Sequence, residues 1–167
     1  MDNTADLTKR AIALQELLVS QQTLLLSTAS ATSIPDMSYA PFVRDESGCF
    51  YILISELAAH TRNLLSNPQA SVRFVRPESE SNNLFARERA IFDCRAKAIN
   101  QSDDCYSTQL IALQDQFGDI VGVLGSLSDF HLFALVPVSG RYVAGFGQAF
   151  TIYIKDGSLI LLRESHQ

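Results

Sequence analysis

The sequence predicts a mainly β fold, a small antiparallel barrel with α-helices at its margins. Short β-branched, aromatic and apolar runs recur along most of the chain, parted by Pro, Gly, Asn and Asp turn signals, while only a few stretches carry a helical period. Many short strands with few helices favour closure of the sheet on itself, because closure removes exposed edges. The 167 residues, 47% of them apolar, suffice for one core and are short for two, so a single domain over 1–167 is expected.

The elements follow in order. Leu7, Ala11, Leu14 and Leu18 recur at steps of four, three and four, which predicts an amphipathic helix over roughly residues 5–20, lying as a lid over the rest. TLLLSTAS (23–30), DMSYAPFVR (36–44) and CFYILI (49–54) read as a three-stranded meander, parted by Ser-Ile-Pro-Asp and Asp-Glu-Ser-Gly. A second helix is expected over about 57–67, with Leu57, Thr61, Leu64 and Leu65 inward and Pro68 barring continuation by its missing N–H. ASVRFV (70–75) is the next strand, RPESESNNLF a loop, and RERAIFDCRAKAIN (87–100) a strand again. SDDCYSTQLIALQDQFG predicts a helix with Ser102 as N-cap, acids in its first turn and Gly118 at its end, followed by a short helix near 119–125. DFHLFALVPV, GRYVAG, QAFTIYI and SLILL read as closing strands. Lys155-Asp156-Gly157 joins the last two, giving a C-terminal hairpin and tail over 155–167.

The net charge of −5 and the thin spread of Lys and Arg argue against nucleic-acid binding, which needs clustered cations, and leave a small molecule or a protein as partner. MDNTADLTKR lacks a secretory signature and no apolar run reaches the ~20 residues of a membrane helix, so a cytoplasmic protein without membrane insertion is expected. Cys49, Cys94 and Cys105 form no CxxC pair and read as free thiols.

The stretch SELAAHTRNLLSNP sets four donor-rich side chains in a row, His60, Thr61, Arg62 and Asn63. A helix N-terminus with Ser55, Thr61 and Arg62 suits a phosphate or a propionate. Periodicity alone reads the same residues as a cap, an inward Thr61 and solvated His60 and Arg62. Arg87 and Arg89, two apart, share one face if both lie on a strand, where two cations meet paired carboxylates or simply form a salt-bridged outer face. Tyr39 is either a platform for a flat ring system or an ordinary half-buried aromatic. Gly145 and Gly147 permit close backbone approach or a bulge. The histidines are His60, His131 and His166; His131 reads as a strand residue with no assigned duty.

The set SYAPF (38–42), ISELAAHTRNL (54–64), NLFARERA (83–90), SDFHLF (128–133) and GRYVAGFGQAF (140–150) resembles the haem-utilisation family, HugZ type, of the pyridoxamine-phosphate-oxidase-like superfamily. The resemblance implies an FMN-binding-type split β-barrel, assembled as a homodimer with ligand sites at the subunit interface. It implies haem binding and, with dioxygen and an electron donor or reductase, opening of the porphyrin to release iron in iron acquisition. By placement in the C-terminal segment, His166 corresponds to the axial ligand of the haem iron. Asp129 would support that histidine, and Arg89 with Ser55, His60, Thr61, Arg62 and Asn63 would meet the propionates, beside Tyr39. Other members of the superfamily hold FMN, so an FMN-binding flavoprotein oxidoreductase is the first alternative and a non-catalytic haem carrier the second.

Overall fold

The computed structural model describes residues 3–162. Four helices and nine strands run in the order α1 (Asn3–Val19), β1 (Thr23–Ala29), β2 (Pro35–Pro41), β3 (Val43–Arg44), β4 (Phe50–Ser55), α2 (Ala59–Ser66), β5 (Gln69–Val75), β6 (Arg89–Ile99), α3 (Asp104–Phe117), α4 (Ile120–Gly125), β7 (Phe130–Gly145), β8 (Gln148–Ile152) and β9 (Leu159–Leu161). The hydrogen-bonded order β2-β1-β5-β6-β7-β4-β3, with β8 and β9 following β7, is a path with two ends, as a split barrel requires. Two compact units divide the chain. One holds residues up to Gln21, Arg73–Phe92 and those from Val138 on; the other holds Gln22–Val72 and Asp93–Pro137.

In the first unit α1 buries Leu14, Leu17 and Leu18 and leaves Ile12 and Val19 exposed, the stripe expected of a helix that covers strands. The partners it covers include β9. Phe74 meets Phe92 edge-on and Tyr142 stacks on Phe150, filling the space with aromatic rings. Gly140 on β7 is required there, since an added Cβ would lie 2.9 Å from the Cβ of Ile152 and 3.1 Å from the ring of Phe92.

In the second unit β1 alternates, with Leu24, Leu26 and Thr28 buried between outward residues. It pairs antiparallel with β2 from Thr23 opposite Pro41 to Ala29 opposite Pro35. A strand bounded by two prolines belongs at the end of a sheet, where a missing N–H breaks no ladder, and β2 ends the path. α3 and α4 bury Leu113 and Val121 with Val43, Tyr51, Leu132 and Ala134. The β3–β4 turn is held by Asp45, whose carboxylate accepts from Ser47 Oγ (2.7 Å), Cys49 N (2.9 Å) and Tyr51 Oη (3.0 Å).

Several expectations are corrected. β7 is one 16-residue strand, not two. Pro137 falls between the ladder to β4, which ends at Leu135, and the ladder to β8, which begins at Gly140. α2 starts at Ala59, and Leu57, expected inward, is 85% exposed because it lies in the turn before the helix. Leu65 is also exposed, while Thr61 and Leu64 are buried as expected. The N-cap position of α3 is Asp103 rather than Ser102, and its side chain makes no cap hydrogen bond. The loop 76–88 contains two short 3₁₀ turns, Glu78–Glu80 and Leu84–Ala86. Gly145 marks a register shift in β7 and Gly147, at φ +65°, makes the following turn, so GFG is the bulge and corner that were one of its two readings.

Candidate functional site

The second unit gathers the donor-rich stretch and the SDFHLF motif at the end of the β4–β7 ladder. That ladder sets Ser55 opposite Phe130 and Ile54 opposite His131. Beyond the last pair, Glu56 N–H donates to the carbonyl of Asp129 at 2.8 Å, so the two chains remain in contact as they leave the sheet. Ser55 Oγ accepts from Leu57 N–H at 3.1 Å and donates to Asp129 Oδ2 at 2.7 Å. Glu56 turns its own carboxylate to His131 Nε2 at 2.5 Å. Arg62 reaches back from the first turn of α2 and donates through Nη1 to the carbonyls of Glu56 and Leu57, both at 2.9 Å. A guanidinium bridging two consecutive carbonyls fixes the turn that carries Ser55.

The four consecutive side chains therefore do different things. Thr61 is wholly buried and its Oγ1 has no hydrogen-bond partner, while Asn63 Nδ2 donates to Thr28 Oγ1 on β1 at 3.0 Å. His60 is half-buried, and burial holds its imidazole below the ordinary histidine range, with Asp36 opposing the shift. Arg62 is exposed but spends a terminal nitrogen on its own turn. Ser55 is not a helix cap: it ends β4, and Ala58 precedes α2 with no side-chain cap. Tyr39 stands outward on β2, 66% exposed, beside Met37 at 68% and opposite Leu25 at 42%, an apolar strip on an edge strand.

Arg89 lies in the first unit, at the start of β6, where its Nη1 donates to the carbonyl of Arg87 at 2.9 Å. Arg87 precedes the strand, contrary to expectation, and donates to the carbonyl of Arg76 and to Glu78. The same unit contains a cleft of about 310 Å³ lined by Arg76, Asn82, Arg87, Glu88 and Phe146 among others. His166 lies outside the described residues.

Ser55 and Asp129, marked in the sequence for separate duties, are thus brought into direct contact. The Glu56–His131 pair was not legible, because its members are 75 residues apart and meet only through the β4–β7 register. Among the described residues Asp129 has no cationic partner and no donor reaches its Oδ1. A half-buried carboxylate held by one oxygen with the other open suits the N–H of an imidazole, the support a haem-ligating histidine takes from a carboxylate or carbonyl. The outward strip of Tyr39, Met37 and Leu25 suits a flat apolar ring or an apolar partner surface. These residues fit the demands of haem.

The profile of the pyridoxamine 5'-phosphate oxidase family matches residues 11–144. Haem oxygenase HutZ of Vibrio cholerae is 37% identical over 155 residues, covering 92% of this chain and 88% of HutZ. The crystal structure of HutZ, there described as a haem storage protein, superposes with a TM-score of 0.74 at 35% identity over 80% of this chain and 94% of that one. Campylobacter jejuni ChuZ superposes with a TM-score of 0.81 at 27% identity, covering 100% of this chain and 68% of ChuZ. Strand order, motif placement and these similarities agree: the chain belongs to the pyridoxamine 5'-phosphate oxidase family and, within it, to the haem-utilisation group.

Proposed function

We propose that the protein binds haem and degrades it with dioxygen and an external electron donor, releasing iron. The observation that carries this reading is Asp129, anchored through Oδ2 by Ser55 and through its carbonyl by Glu56, with Oδ1 left to receive an imidazole N–H. His166 supplies that imidazole and holds the iron; bound haem supplies the oxygen chemistry. The chain's own residues orient the histidine, through Asp129, and offer Tyr39 to the ring. In this reading His60, Arg62 and Asn63 of the second unit stand on the propionate side, while Thr61, wholly buried, packs beneath them. Arg62 and Asn63 act chiefly by shaping the turn and by tying α2 to β1. The protein acts in the cytoplasm as a homodimer, a reading supported by the exposed apolar strip on the edge strand β2. Sedimentation of the haem-free protein tests the assembly.

HutZ, at 37% identity, carries both the description of a haem oxygenase and that of a haem storage protein, which favours the carrier as a second reading. The flavoprotein reading rests on the family profile alone. Titration with hemin, and separately with FMN, followed by an added reductant in air, separates all three. A saturable Soret band lost in His166→Ala, followed by pigment and free iron on reduction, is expected. A stable Soret band under reductant means a carrier, and saturable FMN binding with only nonspecific hemin uptake means a flavoprotein.

A further inference from the structure

The motif GRYVAGFGQAF brings Gly140, Gly145 and Gly147 to the first unit, and the fold explains only the first and the last of them. Gly140 has no room for a Cβ, and Gly147 takes φ +65°, a conformation that side chains rarely adopt. Neither reason holds at Gly145. Its φ lies outside the left-handed region, and an added Cβ would meet nothing within 4 Å. Gly145 borders the cleft of about 310 Å³ formed by the loop 76–88 and the β7–β8 turn, where Phe146 stands 71% exposed.

We propose that this cleft binds a neutral planar heteroaromatic ligand with a donor and an acceptor at neighbouring positions of its edge, the chemistry of an adenine base. Nothing in it depends on haem: Arg89 is not among its lining residues, and Ser55 and Asp129 belong to the second unit.

The charges around the cleft favour a neutral ligand, because they already answer one another. Glu88 has both oxygens occupied, by Arg76 and by Tyr142. Arg87 gives Nε and Nη2 to the carbonyl of Arg76 and Nη1 to Glu78. The remaining nitrogen of Arg76, Nη1, faces the carboxylate of Glu80 at 3.7 Å. Two guanidiniums set against three carboxylates leave no uncompensated cation for an anion. The open hydrogen-bonding groups are amides. Asn83 spends Oδ1 on the N–H of Phe85 at 3.0 Å and keeps its Nδ2 protons, and the side chain of Asn82 has no hydrogen bond among the described residues. A carboxamide carries a donor and an acceptor side by side, the fork that matches the amino group and ring nitrogen of adenine. Phe146 supplies the other half of recognition, since an exposed ring at the tip of a hairpin offers a face on which a base stacks. Size agrees. A cleft of 310 Å³ stands at the lower end of the roughly 300–1,000 Å³ of small-molecule sites, which suits one base or nucleoside rather than a dinucleotide. Ala86, Ala144 and Gly145 keep the walls thin, so a flat ring can lie close to the backbone.

The test is a titration of the haem-free protein followed by ¹H–¹⁵N NMR, with adenosine, AMP, inosine and inorganic phosphate as separate probes. Adenosine should shift the backbone amide of Gly145 and the side-chain amides of Asn82 and Asn83 saturably, with half-saturation at about 1 mM or below. AMP should match adenosine and phosphate should do nothing, because the base is held and the anion is not. Inosine, which presents a carbonyl in place of the amino group, should bind several-fold more weakly. Gly145→Val occupies the open wall and should abolish the shifts while leaving the urea midpoint unchanged. Phe146→Ala removes an exposed ring and should weaken adenosine roughly tenfold. Saturable binding of phosphate, or of AMP without adenosine, would make the cleft an anion site and overturn the proposal. Inosine binding as tightly as adenosine, undiminished adenosine binding in either variant, or shifts confined to other residues overturns it as well. So does the absence of any saturable change up to the solubility limit of adenosine.

Discussion

Glu88 in the first unit and Asp129 in the second are both half-buried carboxylates between strands, and they are finished in opposite ways. Glu88 has both oxygens occupied: Oε2 accepts Nε and Nη2 of Arg76 at 2.8 and 2.7 Å, and Oε1 accepts the hydroxyl of Tyr142. Tyr142 is fully buried, and burial together with Glu88 pushes its phenol well above the ordinary range. The hydrogen bond to Glu88 likewise raises the guanidinium of Arg76. The donors of that group meet their acceptors, so the network is internally satisfied. Asp129 has one oxygen bound to a neutral hydroxyl and the other open, with no cation among the described residues. The difference separates a closed ion-pair group from a carboxylate with one oxygen left open.

Removing the carboxylate of the closed group should give the largest effect. In Glu88→Ala the guanidinium of Arg76 and the buried hydroxyl of Tyr142 both lose their acceptor, and the cost expected for a partly exposed pair of this kind is about 2–4 kcal/mol. Urea unfolding of the haem-free protein measures it, and a loss below about 1 kcal/mol would mean that the network is as dispensable as an ordinary surface pair. Asp129→Asn should do the reverse. It keeps an oxygen for Ser55, so the expected loss is roughly 0.5–1.5 kcal/mol, while the hemin complex changes its axial-ligand spectrum. If Asp129→Asn cost as much stability as Glu88→Ala and left the spectrum alone, the two carboxylates would be equivalent and the contrast would fail.

The contrast also explains what could be read from the chain beforehand. The fold class was legible, because short apolar strand runs and the periodic stripe of α1 are local signals that tertiary packing respects, but residues 36–44, expected as one strand of a meander, split into β2 paired with β1 and β3 paired with β4. Pro137 misled, since a proline reads as a break unless one knows that neither the β4 nor the β8 ladder reaches it. Ser55 misled for a related reason. It has the chemistry of a cap and stands near a helix start, but its acceptor is Asp129, 74 residues away, and no local pattern carries that distance. Arg87 looked like half of a strand pair with Arg89 until the backbone placed it two residues before the strand. The wiring around Ser55 and Asp129 is set by the β4–β7 register, which no local motif carries.

The smallest effect tests the site's surroundings rather than its centre. His60 on α2 is half-buried, and burial depresses its imidazole below the 6.5 of an exposed histidine, with Asp36 pulling the other way. The sign follows from linkage: below pH 6.5 the unfolded chain takes up a proton that the folded chain refuses, so folding becomes less favourable as pH falls. Above that pH both states are neutral at His60 and the residue contributes no pH dependence. Comparing the wild type with His60→Gln isolates this residue from other groups that titrate in both proteins. Urea midpoints taken from pH 7.5 down to about 5.5 should diverge, the wild type losing stability relative to the variant only in the acid half of the range. A wild type that gained relative stability on acidification would show that Asp36 outweighs burial and that His60 is held charged. The α2 segment would then carry a charged imidazole held by Asp36, and the second unit would be more finished electrostatically than its hydrogen bonds alone imply.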